Sequence, residues 1–559
     1  MTKISAAYFS MEIALRNDIP TFSGGLGVLA GDTIKSFADL GAPVAAVTLI
    51  YNNGYFCQKI TPDGRQEESL VQWDPRQTMR LLPQKLEMCL DNHSVWVQVW
   101  QYDQIGVTGH TVPVLFLDTN LIENYPEDRV ITQQLYSGDS NMRIRQEVIL
   151  GIGGAKMLDL LGYKDLKTYH MNEGHAAFLT FELLARMEWK NSAVRQHCVF
   201  TTHTPVPAGH DEFDYELVHR VIGAYTPWHV HDIAGKDRLN MTVLALNMSR
   251  YANGVAKKHG EVSRLMFPDF NIDSITNGVH SVTWTAPAFQ ALYDKYIPQW
   301  RQDPEKLAGA DKISAAEIQA AHLTEKNKLL AYIREKTGEE FAPDILTIGF
   351  ARRAATYKRG DLLFTDIERL VRICSGKVQF VFAGKAHPRD LPGKEVIRRI
   401  VQIAAKLRAE HKLRVVFLED YDMRLGALLT AGVDVWLNNP IRPREASGTS
   451  GMKAVHNAVP NFSVLDGWWI EGCVDGVTGW AIGPQATKND LIENSNDEDV
   501  RDLYAKLENV LIPTYYNDRA KWTAIMKQAV AQNASVFNTH RMCKEYLQKS
   551  YTAKAMAVA

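Results

Sequence analysis

Four short apolar runs in the second half of the chain restrict its architecture more than any other feature. They are Ile345-Leu-Thr-Ile-Gly-Phe350, Val378-Gln-Phe-Val-Phe382, Leu413-Arg-Val-Val-Phe417 and Val433-Asp-Val-Trp-Leu437. Each is the length of a buried strand, and each leads through a polar loop into a stretch of helical spacing. Repeated strand–loop–helix units bury both faces of a parallel sheet. The expected fold class is therefore α/β with doubly wound sheets, in which ligands sit at the carboxyl ends of the strands. The first half repeats the pattern less regularly, with strands expected over 42–51, 94–101, 111–117 and 198–202. Helices are expected over 32–40, 143–161, 175–189 and 244–258. The segment Ile275-Thr-Asn-Gly-Val279 reads as a strand ending in a turn, and marks a boundary between two domains, 1–278 and 279–559. A helical connector over 315–336 follows it. The stretch 500–547 reads as mostly helical, free to return to the first domain, and 551–559 as a loose tail.

A chain of 559 residues exceeds what one core can organise, which agrees with that division. Its net charge of -2 excludes a general attraction to nucleic acid or to acidic membranes. Anion binding must then come from local clusters. The six cysteines are scattered, with no pair at metal-ligand spacing, as in reduced cytosolic proteins. No signal core opens the chain, and no run of about eighteen apolar residues occurs to span a bilayer. The expectation is a cytoplasmic protein without nucleic-acid or membrane partners.

Candidate chemistry gathers in four places. Phe22-Ser-Gly-Gly-Leu-Gly27 opens a helix, where bare backbone amides let a phosphate approach. Gly151-Ile-Gly-Gly154 lies inside an apolar stretch without a preceding strand, and reads as close helix packing instead. Tyr169-His-Met-Asn-Glu-Gly-His175 with Thr202-His-Thr-Pro205 carries imidazole, amide and carboxylate groups suited to sugar hydroxyls. None of it has the two-histidine helical spacing of a zinc protease, so no metal is expected. Arg352-Arg353 with Tyr357-Lys-Arg359 puts four cations in one loop after a strand, a receptor for one or two phosphates. Finally Glu445-Ala-Ser-Gly-Thr-Ser-Gly-Met-Lys453 follows a proline-rich corner and leads into a helix. Lys453 there is either a point charge for a phosphate or a Schiff-base lysine.

Taken together, these segments resemble the glycogen/starch/maltodextrin phosphorylases. The nine residues 445–453 look like that family's pyridoxal-phosphate lysine segment. Further matches in order are Gly24-Gly-Leu-Gly27, Arg143-Ile-Arg-Gln-Glu147, Asn172-Glu-Gly-His175, Thr202-His-Thr204, Ile275-Thr-Asn-Gly-Val279, Tyr357-Lys-Arg359, Phe382-Ala-Gly-Lys385 and Val416-Phe-Leu-Glu-Asp-Tyr421. The resemblance implies two Rossmann-like domains facing a central cleft, of the glycosyltransferase GT-B type. It implies reversible phosphorolysis of the terminal α-1,4-linked glucose of a maltodextrin, glycogen or starch chain by inorganic phosphate, giving α-glucose 1-phosphate. It also implies a homodimer, and pyridoxal 5'-phosphate as cofactor, whose phosphate exchanges the proton. Lys453 would carry that cofactor, with Thr449, Ser450, Arg352 and Tyr421 around it. Arg353, Lys358 and the Gly25 amide would bind substrate phosphate. His203, Asn277, Tyr357, Glu445, Ser447 and Gly448 would contact the sugar.

Two positions depart from the family pattern. Arg352 stands where lysine is usual, and Asp422 where arginine is usual, with Arg424 the candidate to compensate. The loop that closes over the site in relatives has no clear motif here, and Asp139 and Asn141 are its candidates. The chain begins at the first core strand, so the control exerted through an N-terminal extension in some relatives is not expected. Two rivals are a nucleotide-sugar glucan synthase, suggested by Ser10-Met-Glu-Ile-Ala14 and Gly24 to Gly27, and a catalytically inactive glucan-binding protein. The first lacks a reason for Lys453 in its full setting, and the second for intact Lys453, Lys358, Arg353 and His203.

Overall fold

The structure, a computed structural model, describes residues 3–410, 412–484 and 496–552. It divides into two compact units, 1–56 with 70–276 and 542–559, and 57–69 with 277–541. The last described turns of the chain thus belong with the first unit, and a hairpin from the first half, Cys57–Ile60 with Gln66–Ser69, belongs with the second.

Among the described residues the first unit carries a nine-stranded sheet. Its parallel part runs Asp273–Ser274, Tyr251–Gly254, Cys198–Thr201, Thr168–Asn172, Ala6–Ser10, Val44–Leu49, Thr111–Asp118. His93–Ile105 and Arg80–Leu90 extend it antiparallel. Successive side chains of a strand alternate between faces, and both faces are covered here. Ala7, Phe9, Ala45, Val47 and Leu115 enter one core, while Ala6, Tyr8, Val44, Ala46 and Val114 enter the other. From Ala6–Ser10 the strand order runs outward in opposite directions, so a switch point lies between that strand and Thr168–Asn172.

The second unit holds a parallel sheet in the order Arg414–Leu418, Val378–Ala383, Leu346–Ala351, Val435–Asn438, Asn461–Val464, Gly479–Ile482. In chain order that is 3-2-1-4-5-6, the doubly wound arrangement, with the switch point between Leu346–Ala351 and Val435–Asn438. The helix Ala315–Thr337 is bounded by Ser314, whose side chain caps it, and by Gly338 in the left-handed region at φ +73°.

Several expectations need correction. The helix expected over 244–258 is two helices, Met241–Asn247 and Lys257–Met266, with the strand Tyr251–Gly254 between them. The segment 275–279 is loop; the strand there is Asp273–Ser274, and Val279 makes only an isolated bridge to Asn538. The helix expected from 32 starts at Gly25. Tyr551, assigned to a loose tail, is packed instead, its hydroxyl 2.8 Å from His170 Nδ1 and its ring against Phe37. Residues 553–559 lie outside the described ones. Gly151 and Gly154 are packing glycines as expected, a Cβ on Gly154 lying 2.7 Å from Phe9. Among the described residues no helix is long and apolar enough to cross a membrane.

The Gly25–Asp39 helix is seated by one close approach. A Cβ on Gly31 would lie 1.8 Å from the Ala14 carbonyl oxygen, and Ala14 N donates to Gly27 O at 2.8 Å. Gly31→Ala is therefore expected to destabilise the protein by about 2 kcal/mol or more, as an overpacked backbone contact. A thermal melt should drop by several degrees; an unchanged melt would refute this seating of the helix.

Candidate functional site

In the second unit the chemistry collects where doubly wound sheets place ligands, at the carboxyl ends of the two switch-point strands. Leu346–Ala351 ends in Arg352 and Arg353. Gly384, at φ +151°, lets the chain beside them pass so close that a Cβ would stand 2.0 Å from the Arg352 carbonyl oxygen. Only glycine fits that approach. Arg352 N donates to Ala383 O at 3.2 Å and Ala354 N to Lys385 O at 2.9 Å, so Phe382-Ala-Gly-Lys385 fixes the arginine loop.

The Arg352 side chain is buried, and its guanidinium reaches Glu445 Oε2 at 2.6 Å and the Asn438 Oδ1. Asn438 Nδ2 donates to Ser463 Oγ at 3.1 Å, which settles which end of that amide faces the arginine. Lys358 Nζ lies 2.8 and 2.7 Å from the two Glu445 oxygens and 4.5 Å from the Tyr357 ring centroid. One buried carboxylate is thus held between two buried cations. Burial alone would raise its pKa, but Arg352 and Lys358 hold the Glu445 carboxyl down at about 2. Burial would also raise the Tyr357 phenol, which the adjoining Lys358 charge keeps below its ordinary value.

The 445–453 loop is shaped from beneath by Asp466. Its two oxygens accept from Glu445 N and Gly467 N, each at 2.9 Å. Gly467, at φ +55°, passes the Ser447 carbonyl, which accepts from Trp468 N at 2.9 Å. Gly448 takes φ +78°. The Ser450 hydroxyl accepts from Trp436 Nε1 at 3.1 Å. Thr449 precedes the helix Ser450–Val455, and its carbonyl accepts from Met452 N at 3.1 Å and Lys453 N at 3.3 Å. Lys453 is buried, with Nζ 3.7 Å from the Trp284 ring centroid. Asn457 Nδ2, in the turn just past that helix, donates to the Trp284 carbonyl at 2.7 Å, so the segment that follows the lysine also holds its aromatic cover. The buried Ser447 Oγ and Asn277 Oδ1 have no hydrogen-bond partner among the described residues. Such orphaned groups ask for a polar ligand.

Other expected members stand apart. Of the four cations in the arginine loop, Arg359 is structural: it donates to Asn439 O and Pro440 O, both at 2.8 Å, and pairs with Asp499 at 2.5 Å. It anchors the corner that contains the cis Arg442–Pro443 bond. Arg353 is exposed. Tyr421 lies near Arg352, its hydroxyl pushed up to about 12 by burial and by Asp422. Asp422 caps the Met423–Gly432 helix, accepting from Leu425 N at 2.8 Å, and Arg424 is exposed in that helix's first turn.

The first unit has its own cluster at its own switch point. Asn172 and Ser10, at the ends of the two central strands, are joined at 3.1 Å. That donation leaves Asn172 Oδ1 as acceptor, so His203 Nε2, 2.7 Å away, carries the hydrogen. Burial lowers the His203 pKa to about 4, which leaves the ring neutral with Nδ1 as a lone pair. Glu173 sits at φ +73°, ψ 164°, a region that costs a non-glycine residue about 1–3 kcal/mol. It is held there by Gly174 N at 2.9 Å, His203 N at 2.7 Å and the Thr204 hydroxyl at 2.9 Å. Gly25 opens its helix exposed, with open space where a Cβ would be. Glu147, His175 and Asp211 bring ligand atoms within 4.8 Å of one another, but the Arg143 guanidinium already lies 3.5 Å from both carboxylates. Asp139 caps the Ser140–Val148 helix, and Asn141 accepts from Arg220 at 2.9 Å. Trp284, Asn438 and Asp466 were not foreseen as parts of these sites. Glu173 belongs to the cluster expected from the sequence, as the carboxylate of Asn172-Glu-Gly-His175.

A family model described as carbohydrate phosphorylase matches residues 224–475. A maltodextrin phosphorylase of Thermococcus litoralis is 40% identical over 99% of this chain and 71% of its own length. Glycogen phosphorylases of Aquifex aeolicus and Mycobacterium tuberculosis are each 35% identical, over 98% and 99% of this chain and 86% and 71% of theirs.

Glu445→Gln leaves Arg352 and Lys358 buried without their anion, a loss of about 3–5 kcal/mol for a broken buried pair. The variant should melt well below wild type in anion-free buffer. Inorganic phosphate should restore more stability to it than to wild type, because an anion replaces the missing charge. The Glu445 pKa is depressed on folding, so its contribution is present above its unfolded value and lost as pH falls towards about 2. Stability of the variant should lack that acid limb in urea titrations between pH 5 and 2. Equal melting of both proteins would overturn the ion-pair assignment.

Proposed function

The chain belongs to the carbohydrate phosphorylase family, and we propose that it catalyses reversible phosphorolysis of the terminal α-1,4-linked glucose of a maltodextrin or glycogen chain. The observation that carries this reading is the Glu445 carboxylate held between Arg352 and Lys358, in the same loop that sets Lys453 against Trp284. None of the six cysteines is in a disulfide, which suits a reducing compartment and supports the cytoplasm as its setting.

The residues around Lys453 fit pyridoxal 5'-phosphate. A buried lysine on an aromatic face, an arginine fork and a small-residue turn before a helix form a donor set for an aromatic aldehyde bearing a phosphate. Lys453 would hold it, with Thr449, the amides near Ser450, Arg352 and Tyr421 about its phosphate. When bound, that group supplies a phosphate able to give and take a proton beside the substrate's own.

The remaining roles fall to the chain itself. Arg353 and Lys358 in the second unit bind inorganic phosphate, and the Gly25 amide is the anion donor that the first unit offers. Lys358 directs two N–H groups at Glu445 and has a third for an anion. Cations fixed before the substrates arrive offset the repulsion between phosphates and stabilise charge that develops at the sugar. Glu445, ionised at neutral pH, accepts sugar hydroxyls, and the unpartnered Ser447 hydroxyl and Asn277 carbonyl offer further contacts. Tyr357 and the Gly448 turn complete that side. In the first unit His203, its Nε2 hydrogen committed to Asn172, offers Nδ1 to a hydroxyl.

Lys453→Ala should abolish phosphate-dependent release of glucose 1-phosphate from maltodextrin and remove the cofactor absorbance of the purified protein. Lys358→Ala should retain that absorbance and lose about two to three powers of ten in kcat, as for removal of one preorganised donor. Should wild type release no glucose 1-phosphate in the presence of pyridoxal phosphate, the reading fails. Elongation from a nucleotide sugar would then point to a synthase, and glucan binding alone to an inactive binding protein.

A further inference from the structure

Within Ser10-Met-Glu-Ile-Ala14 the glutamate has no part in the roles above, yet its carboxylate gathers two backbone amides and two hydroxyls. Glu12 is buried to 2%. Its Oε2 accepts from Ser23 N at 2.5 Å and Gly24 N at 3.2 Å. The Ser23 hydroxyl lies 3.3 and 3.2 Å from its two oxygens, and Oε1 accepts from the Tyr136 hydroxyl at 2.9 Å. A Cβ on Gly27 would stand 2.6 Å from Oε2, so the turn is wrapped tightly around this one carboxylate.

Two consequences follow. The Ser23 and Gly24 amides are satisfied inside the protein, so an oxyanion arriving at this turn meets only the amides from Gly25 onward. The turn is also tied through one phenol to the segment that leads into the Ser140–Val148 helix. Tyr136 is itself constrained, at φ +55° and with the Arg143 guanidinium 4.6 Å from its ring centroid.

We propose that Glu12 is the positioning residue of the glycine turn, and that Tyr136 is the clamp through which the segment ahead of residue 140 sets where the Gly25 amide stands towards inorganic phosphate. The proposal rests on the phosphorolysis reading for the identity of the anion. It makes both residues determinants of phosphate affinity rather than of glucan affinity, although neither touches the phosphate.

Tyr136→Phe removes the hydroxyl and keeps the ring on Arg143. Its KM for phosphate should rise about fivefold to tenfold, as for one lost hydrogen bond to a charged acceptor. Its KM for maltodextrin should stay within about twofold of wild type, and the thermal shift produced by phosphate alone should shrink in parallel. Glu12→Gln, which keeps the size of the side chain, should show the same selectivity. In the double variant Tyr136→Phe should add less than about twofold, because the two act through one contact. A Tyr136→Phe enzyme that melts lower with an unchanged KM for phosphate, or whose two KM values rise together, overturns the proposal. Failure of the phosphorolysis reading looks different: wild type then makes no glucose 1-phosphate, while the phosphate thermal shifts of wild type and Tyr136→Phe still decide for or against the clamp.

Discussion

The site in the second unit depends on one buried carboxylate. Glu445 neutralises Arg352 and Lys358 where neither could be left alone, since an unpaired charge in such a place is far costlier than a paired one. The pair is set by backbone as much as by side chains. Gly384 brings its neighbouring strand end against Arg352, and Asp466 fixes the Glu445 amide from the other side. A carboxylate so placed is already the shape of the problem that a phosphate poses: an oxyanion that two cations must face without rearranging. Electrostatic preorganisation of that kind is the term that counts most when charge develops during a reaction.

The first unit meets a parallel demand by different means. Its order comes from hydrogen bonds that leave little choice of orientation. Ser10 orients Asn172, Asn172 selects the His203 tautomer, and Glu173 ties down the His203 and Thr204 backbone turn. Glu173 holds a conformation suited to glycine, and three donors on its carboxylate are what keep it there. Backbone strain retained at the end of a central strand is the mark of a site rather than of a scaffold. In both units the chemistry stands where strand order reverses, because there the loops diverge and open space between them.

Much of this was legible in the residues. The four strands of the second half were recognisable because burial on both faces leaves unbroken apolar runs, and the nine residues 445–453 announced a turn that only small side chains permit. Asn461–Val464 and Gly479–Ile482 escaped notice, since four residues with asparagine, serine or glycine among them carry no apolar signature. Tyr251–Gly254 was hidden inside an apparent helix for the same reason: its neighbours on either side are helical and its own length is too short to show a period of two. The partners of the charged residues were not legible at all. Nothing local to Asn438, Asp466 or Trp284 says which distant side chain each will meet, since those contacts arise only when the sheet is assembled.

The two departures from the family pattern acquire physical content in this light. A lysine in place of Arg352 would present one point charge. The guanidinium instead spans Glu445 and Asn438 at once, so the substitution preserves the charge and adds a second fixed direction. The aspartate at 422 is not a defective copy of an arginine, because its carboxylate is occupied as a helix cap, with Leu425 N at 2.8 Å. An arginine there would leave the cap empty while adding a cation near Tyr421. Arg424 is exposed in the first turn of the same helix. Arg352 is then the cation that bears on the Tyr421 phenol, lowering it against burial and Asp422. Asp422 thus serves as a helix cap, and the fork at Arg352 is a positive group on that side of the loop, fixed in direction as well as in sign.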